Sequence, residues 1–229
     1  MKADGAVFGT TGPKKSLQIN GTFPLTGKRK LLMLLVNFAD TKPLFDADKF
    51  RELMNAENYN GTGSFRDYYL ETSYGKLDIE TTVVGWLQLP RQKSLYSTED
   101  MTDLIRDALA LVDPDLDITQ FDNDGDGELD GLSIIHQGMG QEVSGNTADI
   151  WSHRGELLDQ MYGDIRVKKY TIQPEILISN SQYGTQMTTV GVLCHEFGHN
   201  LGAPDYYDTD YEENGYYNGT GIWDLMADG

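Results

Sequence analysis

The chain has 229 residues, of which 39% are hydrophobic and 10% aromatic, enough to bury the core of one large domain or two small ones. Its net charge of −18 at pH 7 argues against binding to nucleic acid or to anionic membranes, because both require a basic face. A single cysteine, Cys194, excludes an intramolecular disulfide, so bound metal ions are the obvious alternative means of stabilisation.

No apolar run in the chain reaches the length of a membrane span. The segment KLLMLLVNF, residues 30–38, is far shorter than the roughly 20 residues that a spanning helix needs, and it predicts a buried strand. The amino terminus lacks the pattern of a signal peptide. We therefore expect no membrane insertion, and we expect a secreted protein whose signal has already been removed.

The first half of the chain predicts strands and helices in irregular alternation. Residues 1–28 are rich in Gly, Thr, Lys and Pro and are predicted to form an irregular lead-in. A buried strand is predicted at 29–38, and FDADKFRELMN is predicted to be helical. Ser64 is suited to cap the next helix and Gly75 to end it, after which residues 76–89 alternate as a strand.

The second half continues with the segment STEDMTDLIRDALALVDP, an amphipathic helix that Pro114 ends. Strands are predicted around LDGLSIIHQ and YTIQPEILIS, followed by a helix in TTVGVLCHEFGHNLG. From Ala203 onward the chain is predicted to be loop. These elements predict an α/β (α+β) domain with a mixed sheet. Residues 29–202 would form an upper subdomain and residues 203–229 a smaller lower one.

The segment HEFGHNLGAPD predicts a metal site on the last helix. His195 and His199 are four residues apart, so both rings face one point, where zinc accepts nitrogen ligands at about 2.0–2.1 Å. Glu196 lies about 100° around the helix and can reach a water at that metal. Gly202 can end the helix in a left-handed conformation, so that Asp205 returns to the metal with a carboxylate oxygen.

Three protein ligands and one water describe an open, catalytic zinc site rather than a closed structural one. The alternative is a helix with surface histidines and a glycine cap. The combination of the spacing with the glycine and the aspartate favours the metal site.

The segment FDNDGDGELDG predicts a calcium loop, because hard oxygen ligands alternate with glycines that permit a tight wrap. It begins like an EF-hand loop, but Ser133 stands at the twelfth position, where an EF-hand has glutamate. The alternative is a solvated acidic turn. The candidate ligands are Asp122, Asp124, Asp126, Glu128 and Asp130.

A second acidic group follows the zinc motif. It is equally compatible with a second calcium site, which would fix the loop that presents Asp205, and with a solvated run of charge. Its members are Asp208, Asp210 and Glu212.

Several segments resemble the immune-inhibitor-A family of secreted bacterial metallopeptidases. HEFGHNLGAPD is similar to the extended zinc motif of metzincin-like peptidases that use aspartate as third ligand, and SFRDYYLETSYGKLDI, DNDGDGELDG and GIWDLMADG are similar to other family segments. The resemblance covers residues 30–229. It implies a zincin fold with a backing helix and an active-site helix, and a Met-turn at Met226. It also implies zinc ligands at His195, His199 and Asp205 and a general base at Glu196.

One feature departs from the family pattern. The chain stops three residues after Met226, whereas family catalytic domains continue and build the rim of the specificity pocket. We therefore expect the lower subdomain to be incomplete.

The sequence thus predicts a monomeric, secreted zinc endopeptidase that acts on proteins or peptides, with zinc for catalysis and calcium for stability. Glu196 would accept a proton from water activated at zinc. A nearby tyrosine could donate to the transition state, the candidates being Tyr206, Tyr207, Tyr216 and Tyr217. One alternative is a catalytically inactive, calcium-stabilised zincin that serves as a binding or adhesion module, and another is a zinc hydrolase with a non-peptide substrate.

Overall fold

The computed structural model describes residues 23–207 and 219–227. Within them one six-stranded sheet forms the frame, with spatial order β2-β1-β3-β5-β4 and β6 paired to β5. The pairings β1–β2, β1–β3 and β3–β5 are parallel, whereas β4 and β6 run antiparallel to β5. The strands are β1 Gly27–Asn37, β2 Leu77–Gln88, β3 Leu132–Met139, β4 His153–Tyr162, β5 Ile165–Asn180 and β6 Gly184–Met187. This mixed sheet confirms the predicted α/β class.

Five α-helices are seen in the described residues: α1 Ala47–Asn55, α2 Phe65–Thr72, α3 Thr102–Leu109, α4 Gln141–Ser144 and α5 Val190–Asn200. Short 3₁₀ turns occupy Tyr59–Gly61, Lys93–Leu95, Ile118–Phe121 and Gly221–Trp223. Over the described ranges, none of the helices combines the length and the apolarity needed to cross a membrane.

The central strand β1 is buried on both faces, which explains its nearly continuous apolar sequence. Leu32 and Leu34 point into a core beneath α3, whereas Met33 and Leu35 point into a second core that contains Phe197 of α5. Because successive side chains of a strand point to opposite faces, one run of leucines anchors both layers of helices.

The strands predicted at 29–38 and 76–89 are confirmed as β1 and β2. The Ser64 prediction is also confirmed. The Ser64 hydroxyl accepts from the backbone N–H of Asp67, and the Asp67 carboxylate accepts from the N–H of Ser64, which forms a capping box. Gly75 follows the helix with a φ of +72°, a conformation that favours glycine.

The sequence prediction was wrong about the region between β3 and α5. It placed one strand there, whereas the structure contains β4, β5 and β6. The sequence of β4 does not alternate between apolar and polar residues, because the exposed Leu158 follows the buried Leu157, and the pairing register with β5 shifts between Glu156 and Gln160. The predicted lead-in of 1–28 stays a prediction, because residues 1–22 lie outside the described part; β1 starts at Gly27.

Candidate metal and active site

Helix α5 is held against the core by an aromatic cluster. The ring of Phe197 packs edge-on against Phe23, Phe65 and Tyr69, with centroid distances of 4.9, 5.2 and 5.3 Å. The Tyr69 hydroxyl donates to the backbone carbonyl of Cys194 at 2.7 Å. The helix therefore presents its opposite face, which carries the two histidines, from a fixed position.

The helix ends as the sequence predicts. Gly202 has a φ of +92°, and the N–H of Ala203 donates to the carbonyl of Gly198 at 3.0 Å. The chain reverses there, so that the Ala203 carbonyl meets His199 and the carboxylate of Asp205 faces both imidazoles.

Each histidine is oriented by a hydrogen bond to a backbone carbonyl. Nδ1 of His195 lies 2.7 Å from the carbonyl oxygen of Leu225, and Nδ1 of His199 lies 2.8 Å from that of Ala203. Because a carbonyl oxygen can only accept, each Nδ1 carries the proton. Both Nε2 atoms then point at Oδ1 of Asp205, at 3.2 and 3.5 Å.

This convergence fits a divalent cation. With Nδ1 protonated, each neutral imidazole presents a lone pair at Nε2, which cannot donate to the carboxylate. Oδ1 of Asp205 is buried and has no hydrogen-bond partner in the described ranges, in spite of its short distances to both rings. Two nitrogens and one carboxylate oxygen facing one another are the donor set of a catalytic zinc site, and carbonyl-bound Nδ1 atoms are typical of zinc-binding histidines.

Glu196 lies beside these donors. It is only 6% exposed, and its carboxylate falls within 4.8 Å of ring nitrogens of His195 and His199. Burial raises the pKa of Glu196 to about 8, with smaller contributions from the charges of Asp205 and Glu142. The backbone N–H of Arg154 on β4 donates to the carboxylate of Glu196, and this hydrogen bond lowers the pKa because it favours the ionised form. A cation at the site would likewise favour the ionised form.

The segment 219–227 underlies the metal site. Its Leu225 carbonyl orients His195, and the carbonyl of Met226 accepts from the N–H of Tyr206 at 2.7 Å. The Met226 side chain is buried, and its sulfur lies where Gly198 leaves room for it: a Cβ added at Gly198 would be 2.6 Å from Sδ. Met226 therefore lies against the helix between the two histidines, and its role as a Met-turn stays a prediction.

We expect Gly198→Ala to destabilise the domain and to weaken metal binding. Alanine in a helix interior usually gains about 1 kcal/mol over glycine, but here its methyl group would displace the Met226 sulfur and, with it, the neighbouring Leu225 carbonyl. Gly191→Ala is the matched control, because a Cβ at Gly191 in the same helix meets nothing nearer than 3.9 Å. Melting temperature and zinc titration check the prediction, and equal behaviour of the two variants would contradict it.

The acidic loop wraps around its first aspartate. Asp122 accepts from the backbone N–H groups of Gly125, Asp126 and Gly127 at 2.7, 3.1 and 2.9 Å, and both glycines have a positive φ. The structure brings the carboxylates of Asp122, Asp124 and Asp126 within 4.8 Å of one another.

The other two predicted calcium ligands have different surroundings. Asp130 is buried and accepts from the N–H of Asn123, and burial raises its pKa to about 6. Glu128 lies 3.2 Å from Arg166. Both still line, together with Asp124 and Asp126, a cavity of 320 Å³ beside Phe23.

The whole second acidic group and two of the candidate tyrosines lie outside the described residues: Asp208, Asp210, Glu212, Tyr216 and Tyr217. Of the remaining two, Tyr207 stacks on His195 with a centroid distance of 6.4 Å and an interplanar angle of 28°. Tyr206 is half-exposed.

Sequence reasoning missed the groups that orient the site. These are the backbone carbonyls of Leu225 and Ala203, the backbone N–H of Arg154 and the carboxylate of Glu142. Main-chain groups carry no residue signature, so no sequence motif could have revealed the first three. The remaining histidines lie in structural positions: His136 is fully buried, and His153 hydrogen-bonds to the Tyr170 hydroxyl at 3.0 Å.

Comparison with known proteins was consistent with this geometry. Residues 25–229 match the family described as immune inhibitor A peptidase M6, catalytic domain. The chain is 32% identical, over an alignment 280 positions long including gaps, to immune inhibitor A of Bacillus thuringiensis subsp. alesti, covering 96% of this chain and 38% of that protein. It is 27% identical, over an alignment of 263 positions, to the pre-pro-metalloprotease PrtV of Vibrio cholerae serotype O1, covering 87% of this chain and 27% of that protein.

The chain thus spans well under half the length of either relative. The family match nevertheless covers the sheet, α5 and the segment that carries Met226. The chain belongs to the immune inhibitor A family of M6 metallopeptidases.

Proposed function

We propose that this chain is a zinc-dependent endopeptidase domain in which His195, His199 and Asp205 hold the metal and Glu196 is the general base. The observation that carries the proposal is the convergence of two oriented Nε2 atoms on an unpartnered, buried carboxylate oxygen of Asp205. The family match supports a metallopeptidase acting on protein substrates.

Zinc bound by these residues would supply a Lewis acid that polarises a peptide carbonyl and lowers the pKa of water. The chain's own groups then move the proton. Glu196, ionised and held by the Arg154 N–H, accepts the proton of the attacking water and passes it to the departing amine. The carbonyls of Leu225 and Ala203 keep both imidazoles in one tautomer and one orientation.

The geometry weighs against an inactive binding module. A buried carboxylate without a charged partner costs free energy, and a module that only binds would gain by replacing Glu196 with an apolar residue. Its retention next to the metal donors supports catalysis.

The proposal is tested by quantifying bound metal on the purified chain and by measuring casein cleavage with and without a zinc chelator. One zinc per chain with chelator-sensitive cleavage is the expected result. Zinc without cleavage would favour the binding-module alternative, and absence of zinc from a folded chain would overturn the proposal.

We further propose that the loop containing Asp122, Asp124 and Asp126 binds calcium as a structural ion. Support comes from the three adjoining carboxylates, from the positive φ of Gly125 and Gly127, and from the cavity beside them, whose charged lining consists of four acidic residues and two lysines, Lys168 and Lys169. Calcium prefers such oxygen ligands.

We expect a calcium chelator to lower the melting temperature. An ion that binds only the native state stabilises it by about 2.7 kcal/mol at a concentration 100 times its Kd. The double variant Asp124→Asn/Asp126→Asn should melt lower than the parent in calcium and should no longer respond to chelation. Asp115→Asn, at an exposed aspartate outside the loop, is the control. If the chelator left the melting curve of the parent unchanged, the segment would be a solvated acidic turn that binds no structural calcium.

We also propose that the domain acts outside the cell as a monomer. The strongly acidic composition supports an extracellular location, and the burial of the single cysteine, Cys194, leaves no exposed thiol for a disulfide between copies. The Vibrio relative is named a pre-pro-metalloprotease, which is consistent with export.

A further inference from the structure

Two carboxylates lie side by side along the outer edge of the chain that enters β4. Oε2 of Glu142 accepts from the backbone N–H of Ser152 at 3.2 Å, and the carboxylate of Glu196 accepts from the N–H of Arg154. Residues two apart in an extended chain direct their N–H groups to the same side, about 6.5–7 Å apart. Glu142 thus places a second carboxylate roughly 7 Å from that of Glu196.

Glu142 is held in this position by its surroundings. Its Oε1 accepts from the hydroxyl of Ser152 at 2.5 Å, and Ser152 itself is buried. The carboxylate folds back over Gly140, where an added Cβ would lie 2.3 and 2.4 Å from its two oxygens. Glycine at position 140 therefore leaves the space that Glu142 occupies.

The charge of Glu142 is accessible and uncompensated. The residue is exposed, and it forms no ion pair within the ranges 23–207 and 219–227. The neighbouring cations are engaged elsewhere, Arg154 with Glu156 at 3.1 Å and Lys93 with Asp149.

We propose that Glu142 forms a specificity subsite that selects substrates with a lysine or arginine close to the scissile bond. The inference rests on the proposed function, because it assumes that peptide bonds are attacked beside Glu196. An extended peptide advances about 3.3 Å per residue, so the selected side chain belongs to a residue within about two positions of the cleaved bond.

The test compares fluorogenic peptides of one neutral sequence in which a single lysine, leucine or glutamate is placed at each of the two positions on either side of the scissile bond. A lysine at the peptide terminus controls for attraction by the net charge of −18. We expect the parent to cleave the best lysine peptide with about fivefold higher kcat/KM than its leucine counterpart, the magnitude of one partly exposed ion pair.

In Glu142→Gln this lysine-to-leucine ratio should fall to about one, because the amide keeps the shape and one of the two acceptors for Ser152 but loses the charge. Glu142→Lys should invert the preference toward glutamate. Gly140→Ala, which displaces the carboxylate without removing it, should also lose the preference. Glu99→Gln, at an exposed residue before α3, is the matched control and should keep the ratio.

The outcomes separate the two proposals. If the parent cleaves none of the peptides, the proposed peptidase function fails. If the parent cleaves lysine and leucine peptides equally well, or if Glu142→Gln keeps the lysine preference, the subsite proposal is wrong. The proposed peptidase function is not contradicted by either result.

Discussion

Glu196→Gln should abolish peptide hydrolysis and leave the bound zinc in place. A positioned general base typically contributes 10²- to 10⁴-fold to the rate, so we expect kcat to fall by at least about 10²-fold. Glutamine has nearly the same shape and can still accept from the N–H of Arg154, but it cannot take a proton from water. The measurement is kcat on a peptide substrate, with zinc content determined on the same sample.

The substitution should also be well tolerated by the fold. Burial raises the pKa of Glu196 to about 8 in the metal-free chain, so the carboxyl is mostly neutral at pH 7 and a neutral amide resembles it. Because this carboxyl ionises near pH 4.5 in the unfolded chain and only near pH 8 in the folded one, the metal-free parent should lose stability relative to the variant as pH rises from about 4.5 to about 8, with no further loss above that. Glu80→Gln, at an exposed position on β2, is the control. Full activity of a zinc-loaded Glu196→Gln sample would show that Glu196 is not the general base.

Asp205→Ala should lose zinc. The substitution should lower the melting temperature when zinc is present but should not lower it when zinc is absent. Removing one of three protein ligands should weaken affinity more than the roughly 10- to 100-fold typical of residues that only support a ligand. In zinc, the variant should therefore melt well below the parent. Without zinc it should melt at the same temperature or higher, because within the described residues the buried Oδ1 accepts no hydrogen bond that the substitution would remove.

This difference separates a metal ligand from a structural residue, whose removal would destabilise both forms. Zinc titration and melting curves, each with and without chelator, provide the readout. Asp164→Asn, in the exposed turn between β4 and β5, is the matched control. Unchanged zinc content in Asp205→Ala would exclude Asp205 from the ligand set.

Sequence alone predicted the parts of the candidate site that depend on local geometry. The helical spacing of His195 and His199, the left-handed Gly202 and the return of the chain to Asp205 all follow from residues within a dozen positions of one another. Similarly, the capped helix after Ser64 depends on a contact three residues away.

The features that the sequence predicted wrongly or did not reveal depend on contacts between distant segments of the chain. The Leu225 carbonyl that orients His195 lies 30 residues along the chain, and β4 meets α5 only because the sheet brings its edge there. A bulged edge strand also lacks the alternation by which strands are recognised, so the position of Glu142 beside Glu196 was not visible in the sequence.

The hydrogen bonds around Tyr206 have a practical consequence for protein engineering. Its N–H donates to the Met226 carbonyl, and its own carbonyl accepts from the N–H of Thr220 at 3.1 Å. Gly219 lies so close to Tyr206 that any Cβ there would collide with its carbonyl oxygen. The two chain ends that flank residues 208–218 are therefore fastened to each other. Segments of other lengths and sequences could be grafted between them to build libraries of peptidases that keep one metal centre.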